Sequence, residues 1–478
     1  MLFNSVNYLI FFPIIVIIYF SMNDKFKKIF LLGASFFFYS SWNFKYSLLM
    51  LLSIVVTFFT GIYIEKAKSQ KEKKFFIFLC FFINLGILFL FKYFSFSLGF
   101  LNRLLGLLNL HLNFKGLNFL LPVGISFYTF QALGYTIDVY RKEIGAEKNF
   151  INYALFVSFF PQLVAGPIER SKNLLPQIKT LGKRKYENLS KGFLYILWGI
   201  FLKLVIADRA AIFVNQVYAD YKNLSWLFLF IGAVLFSFQI YCDFYSYSII
   251  AKGSAKILGY DLMDNFKEPY LSKSIGEFWK RWHISLSTWF KDYLYIPLGG
   301  NRVNKFRTYI NVLIVFLTSG LWHGANYTFI IWGLIHGIFN ILENITKKYF
   351  VKFKNNLLYI SLRRMMTFLV ATFAFIFFRA NHLTMATTYI SKIFFLEGDP
   401  LKDKINFSLG NVYVLIFAIF VLFLVDIIKY RGVNISEKIE SKNFLFRIVI
   451  YILLIVFSLI FGVYGPGYSE SQFIYFQF

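Results

Sequence analysis

Cysteine is nearly absent from the 478 residues: Cys80 and Cys242 are the only two, and both lie in apolar runs far apart. That excludes a disulfide framework and any Cys-x-x-Cys metal motif, and leaves two buried free thiols as the expectation. Histidine is also scarce, with five residues. There is no His-Glu-x-x-His and no His/Cys cluster at ligand spacing, so no metal is expected. The chain has no Gly-x-Ser-x-Gly elbow and no phosphate-binding loop, which argues against a serine hydrolase and an ATP-driven pump. No internal repeat is visible. Acidic residues are few, 24 against 50 basic ones, and charged residues make up only 15% of the chain.

What the chain has is apolar bulk. Hydrophobic residues are 58%, aromatics 22%, and phenylalanine alone contributes 65 positions, too apolar for a water-soluble protein of this length. An all-α polytopic membrane protein follows. A spanning helix needs ~20 mostly apolar residues, and about a dozen runs come near that length. They include 26–42, 46–64, 75–94, 117–135, 224–242, 411–428 and 446–464. The run 150–167, ending in FPQLVAGPIE, reads as a re-entrant or broken helix, and irregular backbone at that depth must line a cavity or be buried in protein.

The net charge of +26 sits mostly in short loops such as 65–74 and 169–191. Cytoplasmic retention of basic loops explains this more simply than nucleic-acid binding, which is not expected. A cationic cytoplasmic mouth would also attract anionic lipid head groups or a phosphate-bearing acyl donor. The first apolar run, 2–20, has no basic residue before it and Lys25, Lys27 and Lys28 after it, so it reads as a retained first helix with an outside N-terminus. A re-entrant 150–167 then keeps both 138–149 and 169–191 on the cytoplasmic side.

Stepping 278–293 as one helix gathers Phe278, Trp279, Trp282, Leu286, Trp289, Phe290 and Tyr293 on one arc, with Lys280, Arg281, Lys291 and Asp292 outside it and Ile284 a misfit. This pattern predicts an interfacial amphipathic helix, with His283 at the edge of the aromatic arc. On that helix alone, His283 reads as a hydrogen-bonding interface anchor or as a residue facing a cavity. His323 follows the apolar run 309–318 and is bracketed by Trp322, Gly320, Gly324 and Ala325. An ionisable residue inside a membrane is expensive, so a functional role is the first hypothesis there, with a helix-to-helix hydrogen bond as the alternative. His336 lies 13 residues further on, about 220° around a continuous helix, so it reads as structural. His111 and His382 read as surface or interface residues. Asp138, Asp208 and Asp243, in or near apolar runs, read as structural ion pairs or polar glue, Asp208 with Arg209 or Lys203.

Six segments together carry a resemblance: FPQLVAGPI (160–168), KLVIADR (203–209), YCDF (241–244), FWKRWHISLS (278–287), DYLYIPLGGNR (292–302) and GLWHGA (320–325). In this order they resemble the membrane-bound O-acyltransferase superfamily, most nearly its bacterial alginate O-acetyltransferase branch, over about residues 120–340. The closing FIYFQF (473–478) looks like that branch too. The resemblance implies a helical core with re-entrant or broken helices around a transmembrane tunnel, and a division into N-terminal helices (1–115), catalytic core (116–345) and C-terminal helices (346–478). It implies that His323 is the catalytic histidine and His283 the second one. Trp282, Trp322 and Asp243 are further candidate substrate contacts, and Asn301 and Arg302, after the Gly299-Gly300 turn, read either as contacts to the donor's phosphates at the cytoplasmic mouth or as a helix-terminating turn beside a snorkelling arginine.

The same resemblance implies acetyl transfer from a cytoplasmic thioester, acetyl-CoA or another acyl carrier, to an extracytoplasmic polysaccharide. A hydrolase-like (SGNH) extracytoplasmic acetyltransferase and polysaccharide machinery would be the partners, and a bacterial inner membrane the location. The D-alanyl transfer branch that modifies teichoic acids shares the two histidines but lacks the YIPLGGNR segment. A polysaccharide or lipid exporter and a purely scaffolding subunit are the readings from other classes. Where the branch usually reads YCDFSGYSD this chain has YCDFYSYSI, so Ser246 replaces a glycine and Ile249 an aspartate. That departure bears on the acceptor more than on the reaction.

Overall fold

The computed structural model describes residues 1–465 except 111–113, 117–120, 165, 183–184, 348 and 350–355. His111, the closing 473–478 segment and Ala165 of the 160–168 motif lie outside the described residues. All regular structure among the described residues is helical. Seven helices are long and apolar enough to cross a membrane: Phe44–Lys66, Gln70–Leu107, Trp226–Ile257, Tyr327–Thr346, Leu357–Arg379, Leu409–Tyr430 and Phe444–Phe461. That is fewer than the dozen runs of the sequence. Val6–Ser21, with 16 residues, is apolar but short. The 150–167 run is indeed interrupted, as Phe150–Ser158 stops at Phe159 and one turn, Phe160–Leu163, follows. The chain is a multi-pass membrane protein.

Two compact units divide the fold, Met1–Leu189 with Ser254–Met263, and Ser190–Gly253 with Asp264–Phe478. In the first, buried polar side chains join the helices: Tyr153 donates to Thr57 at 2.7 Å, Ser53 to Asn84 at 2.6 Å, and the hydroxyls of Tyr8 and Ser254 lie 2.6 Å apart. Such pairing is expected where lipid offers a polar group no partner of its own. Asp138 accepts from Ser171 at 2.6 Å, the polar glue expected of it. Cys80 and Cys242 are buried free thiols, as expected.

In the second unit, Lys305–His323 and Tyr327–Thr346 form a helical hairpin. The sequence writes its turn directly after His323: Gly324 ends one helix, and Asn326 caps the next by accepting from Thr328 N–H at 3.2 Å. Glycines set how closely the helices pack. A Cβ on Gly320 would come within 2.3 Å of the Phe329 carbonyl oxygen, and one on Gly333 within 2.3 Å of that of Phe316. Elsewhere in this unit the outer helix Phe444–Phe461 turns Leu445, Leu453 and Leu459 outward, as a lipid-facing helix must.

The predicted helix 278–293 is not continuous. Ile275–Arg281 ends at Trp282, His283 adopts a left-handed backbone (φ 44°), and Ile284–Phe290 follows, continuing into a π-helical turn, Lys291–Tyr295. The cause is a distant side chain. Asn265 is buried and accepts from both the Ser285 hydroxyl, at 2.6 Å, and the Ser285 N–H, at 3.3 Å, while its carbonyl takes Ile284 N–H at 2.9 Å. These bonds start a new helix just after His283 and rotate its side chain away from the arc a single helix would give it.

Candidate active site

The left-handed turn at 283 and the helix end at 323 bring two imidazoles together. His283 is completely buried and His323 nearly so, with ring centroids 6.5 Å apart. A left-handed histidine costs backbone energy that the surrounding packing must supply, and such strain concentrates at functional positions. His323 is the last residue of its helix, so its direction is fixed by the hairpin turn that follows.

The two rings are enclosed by aromatic side chains. Phe244 meets His283 edge-on at 4.6 Å; Trp322 lies 6.0 Å from His283 and 5.0 Å from His323; Trp332 and Phe378 meet His323 at 4.9 and 5.2 Å. Burial among these rings pushes the His283 imidazole down to about 3, so it is neutral at neutral pH. A neutral imidazole offers one N–H donor and one acceptor nitrogen, the pair of functions that proton transfer uses.

The other sequence candidates fall in four places. Trp322 is in the enclosure. Trp282 is one residue from it, buried against Phe266 (5.0 Å), Phe278 (5.3 Å) and Phe375 (5.3 Å), so its position is that of a packing ring behind His283. Asn301 and Arg302 lie on the exposed turn after Gly299 and Gly300, whose φ values of 102° and 56° need glycine, and Asn311 fastens that turn through the carbonyls of Leu298 and Gly300 at 3.1 Å each. Asn301 also borders a cavity of ≈ 650 Å³ with Trp279, Lys280, Lys291, Asn340 and Phe316. Asp243 is held by Lys203 at 2.7 Å, and Lys203 also takes Asp208 at 2.8 Å, so the ion-pair reading of both aspartates holds in the geometry. Of the two partners expected for Asp208, Lys203 is in place, on the π-helical turn Leu202–Ala207.

At the departure from the family pattern, Ser246 is buried and donates to the Asp243 carbonyl at 2.6 Å. Ile249 faces a separate cavity of ≈ 730 Å³, with Trp198, Phe201, Val425 and Phe457 among its walls. Among the described residues no group of three or more His, Cys, Asp or Glu side chains could hold a metal ion. The arrangement sets two imidazoles side by side in aromatic surroundings, where imidazole nitrogens can give and take a proton.

Sequence reasoning missed Phe244, Trp332 and Phe378, because ring contacts between distant segments leave no local spacing. It set His336 apart on the premise of one continuous helix through 323–336. The hairpin removes that premise, and the Gly-Ala-Asn of the turn was the available signal.

Comparison with known proteins gives the family. The chain is 36% identical over 408 residues to a probable alginate O-acetylase of Pseudomonas putida, covering 85% of this chain and 82% of the relative. To the peptidoglycan O-acetyltransferase of Helicobacter pylori it is 35% identical over 412 residues, covering 80% and 76%. A teichoic acid D-alanyltransferase of Streptococcus thermophilus is 32% identical over 235 residues, 46% of this chain and 56% of that protein. Residues 139–396, which hold both histidines, the hairpin and the Lys203 cluster, match the family profile. The chain belongs to the membrane-bound O-acyltransferase (MBOAT) family and is an acyltransferase.

Proposed function

We propose that the protein is an O-acetyltransferase of a bacterial cytoplasmic membrane that passes an acetyl group from a cytoplasmic thioester toward an extracytoplasmic polysaccharide. The observation that carries the reading is the pair of buried imidazoles 6.5 Å apart in an aromatic enclosure. A thioester is already activated, so the enzyme must bring a hydroxyl to it and remove that hydroxyl's proton. His323 takes the proton as the hydroxyl oxygen bonds to the acyl carbon. The carbon–sulfur bond then breaks, and the thiolate leaves with the proton returned from His323. His283, neutral through burial, donates its N–H to the developing oxyanion or orients the hydroxyl. An acyl-histidine intermediate is the less economical variant.

The donor side is the Asn301 cavity. Lys280 and Lys291 on its walls, with Arg302 on the adjoining turn, supply positive charge for the phosphates of coenzyme A or of a carrier protein's prosthetic arm. A tunnel then leads from this mouth past the histidines to the outer face. Relatives of nearly equal identity are named for alginate and for peptidoglycan, which supports a glycan, here on the extracytoplasmic side, as the acceptor class. A hydrolase-like acetyltransferase on the outer side would complete the transfer.

The test uses the purified protein in liposomes with radiolabelled acetyl-CoA and, separately, an acetylated carrier protein. Thioester cleavage that disappears in His323→Ala, with the variant folded, supports the reading. Cleavage of neither donor, with acceptor and partner supplied, would remove it in favour of export or scaffolding; cleavage only of a D-alanyl thioester would assign the teichoic acid branch.

A further inference from the structure

His336 is the third imidazole of this region, and the proton-transfer step leaves it unused. It is completely buried on the second helix of the hairpin, and neither ring nitrogen has a hydrogen-bond partner among the described residues. Its neighbours are rings: Phe278 at 6.1 Å and Phe316 at 6.3 Å stack on it, while Trp332 at 5.0 Å and Trp279 at 5.1 Å meet it edge-on. The indole N–H groups of Trp279 and Trp332 likewise have no acceptor among the described residues.

Packing alone does not account for this. A buried polar group left unpaired costs free energy that an apolar ring of the same outline would not. Among four aromatic side chains, phenylalanine would fill position 336 at no such cost. Three adjacent side chains present nitrogens in this way, two of them obligate donors, so the fitting occupant is a chain that carries carbonyl oxygens between apolar stretches.

The location says which chain. Trp279 and Phe316 wall the Asn301 cavity on one side and touch His336 on the other. Trp332 in turn bridges His336, at 5.0 Å, and His323, at 4.9 Å. The cluster thus lies between that cavity and the His323 ring.

We infer that His336 is a donor-positioning residue, whose imidazole N–H, flanked by the indoles of Trp279 and Trp332, takes a carbonyl oxygen of the thioester-bearing arm between the Asn301 cavity and His323. The inference rests on the acetyl-transfer reading. The arm of amide carbonyls ending in a thiol is common to coenzyme A and to acyl carrier proteins, so the contact serves either donor.

The experiment measures thioester cleavage by the full-length protein in liposomes against acetyl-CoA and against acetyl-pantetheine, which carries the arm without the nucleotide. His336→Phe should fold with unchanged or raised thermal stability and show a KM for both thioesters raised roughly three- to tenfold, with a smaller change in kcat. His336→Gln, which regains a donor and an acceptor, should recover part of that loss. Wild-type KM and kcat in His336→Phe would overturn the inference, as would a stability loss with unchanged kinetics, the mark of a packing role. An effect confined to acetyl-CoA would place the contact on the nucleotide and overturn it too. Should His336→Phe fail to fold, His336→Leu carries the same test. Wild-type protein that cleaves neither thioester brings down the acetyl-transfer reading itself, whereas wild-type cleavage matched by His336→Phe brings down only this one.

Discussion

Trp322 touches both histidines, at 6.0 Å from His283 and 5.0 Å from His323, so the two imidazoles share one wall although they come from different helices. Residues that act as a unit lose activity non-additively. His323→Ala should lower acetyl transfer by roughly 10²–10⁴-fold, the usual contribution of a positioned general base. His283→Ala should cost less, and the double variant should be little worse than His323→Ala alone. Single-turnover kinetics on detergent-purified protein would read this; fully multiplicative losses would mean that the rings work independently.

Acid should destabilise the fold through His283. Burial holds the His283 imidazole down at about 3, against an ordinary value near ~6.5, so between these limits the unfolded chain binds a proton that the folded chain does not. The contribution to stability is complete above about pH 6.5 and is lost as pH falls toward 3, at up to roughly 1.4 kcal/mol per pH unit for one such group. Thermal unfolding of wild type and His283→Phe at pH 7 and pH 4.5 checks this. The variant should lose less stability over that interval; equal losses would remove His283 as the cause.

How much of this was legible beforehand depends on where each determinant lies. Membrane class and most of the spans follow from local composition, and Asn326 after His323 writes its cap in the sequence. The break at Trp282–His283 carries no glycine or proline. It depends on Asn265, twenty residues before Ser285, reaching back to start a new helix, which no periodicity over 278–293 contains. The enclosure is likewise a product of long-range packing, since Phe244, Trp332 and Phe378 come from three separate helices. Phenylalanine is too common in this chain for any one of them to stand out.

The hairpin should tolerate no side chain at its closest approach. Gly320→Ala and Gly333→Ala would each place a Cβ within 2.3 Å of a backbone oxygen, which cannot rotate aside. Each should destabilise the protein by about 1–3 kcal/mol and shift the His323 ring, lowering activity at temperatures where the fold persists. A thermal-shift assay in detergent paired with thioester cleavage is the measurement, and a neutral Gly333→Ala would show that the helices can move apart.

The Lys203 cluster should behave as a coupled unit. Lys203→Met leaves Asp208 and Asp243 facing each other in the core without their ammonium, and breaking a buried pair in this way typically costs about 3–5 kcal/mol. Little folded protein is expected. Adding Asp208→Asn and Asp243→Asn should recover part of the yield in size-exclusion profiles, and no recovery would point to a role for Lys203 beyond charge balance.

Under the proposed acetyl transfer, the ring walls around His283 and His323 would also act as a filter on net charge. Phe244, Trp322, Trp332 and Phe378 offer faces and edges with little capacity to solvate a full ion, and transferring a carboxylate from water into such surroundings costs several kcal/mol even after relaxation. A neutral two-carbon acyl group enters without that cost, and an acyl group ending in a second carboxylate does not. In that reaction, discrimination against acyl groups that end in a second carboxylate would require no dedicated contact: the hydrocarbon character of these walls would disfavour them.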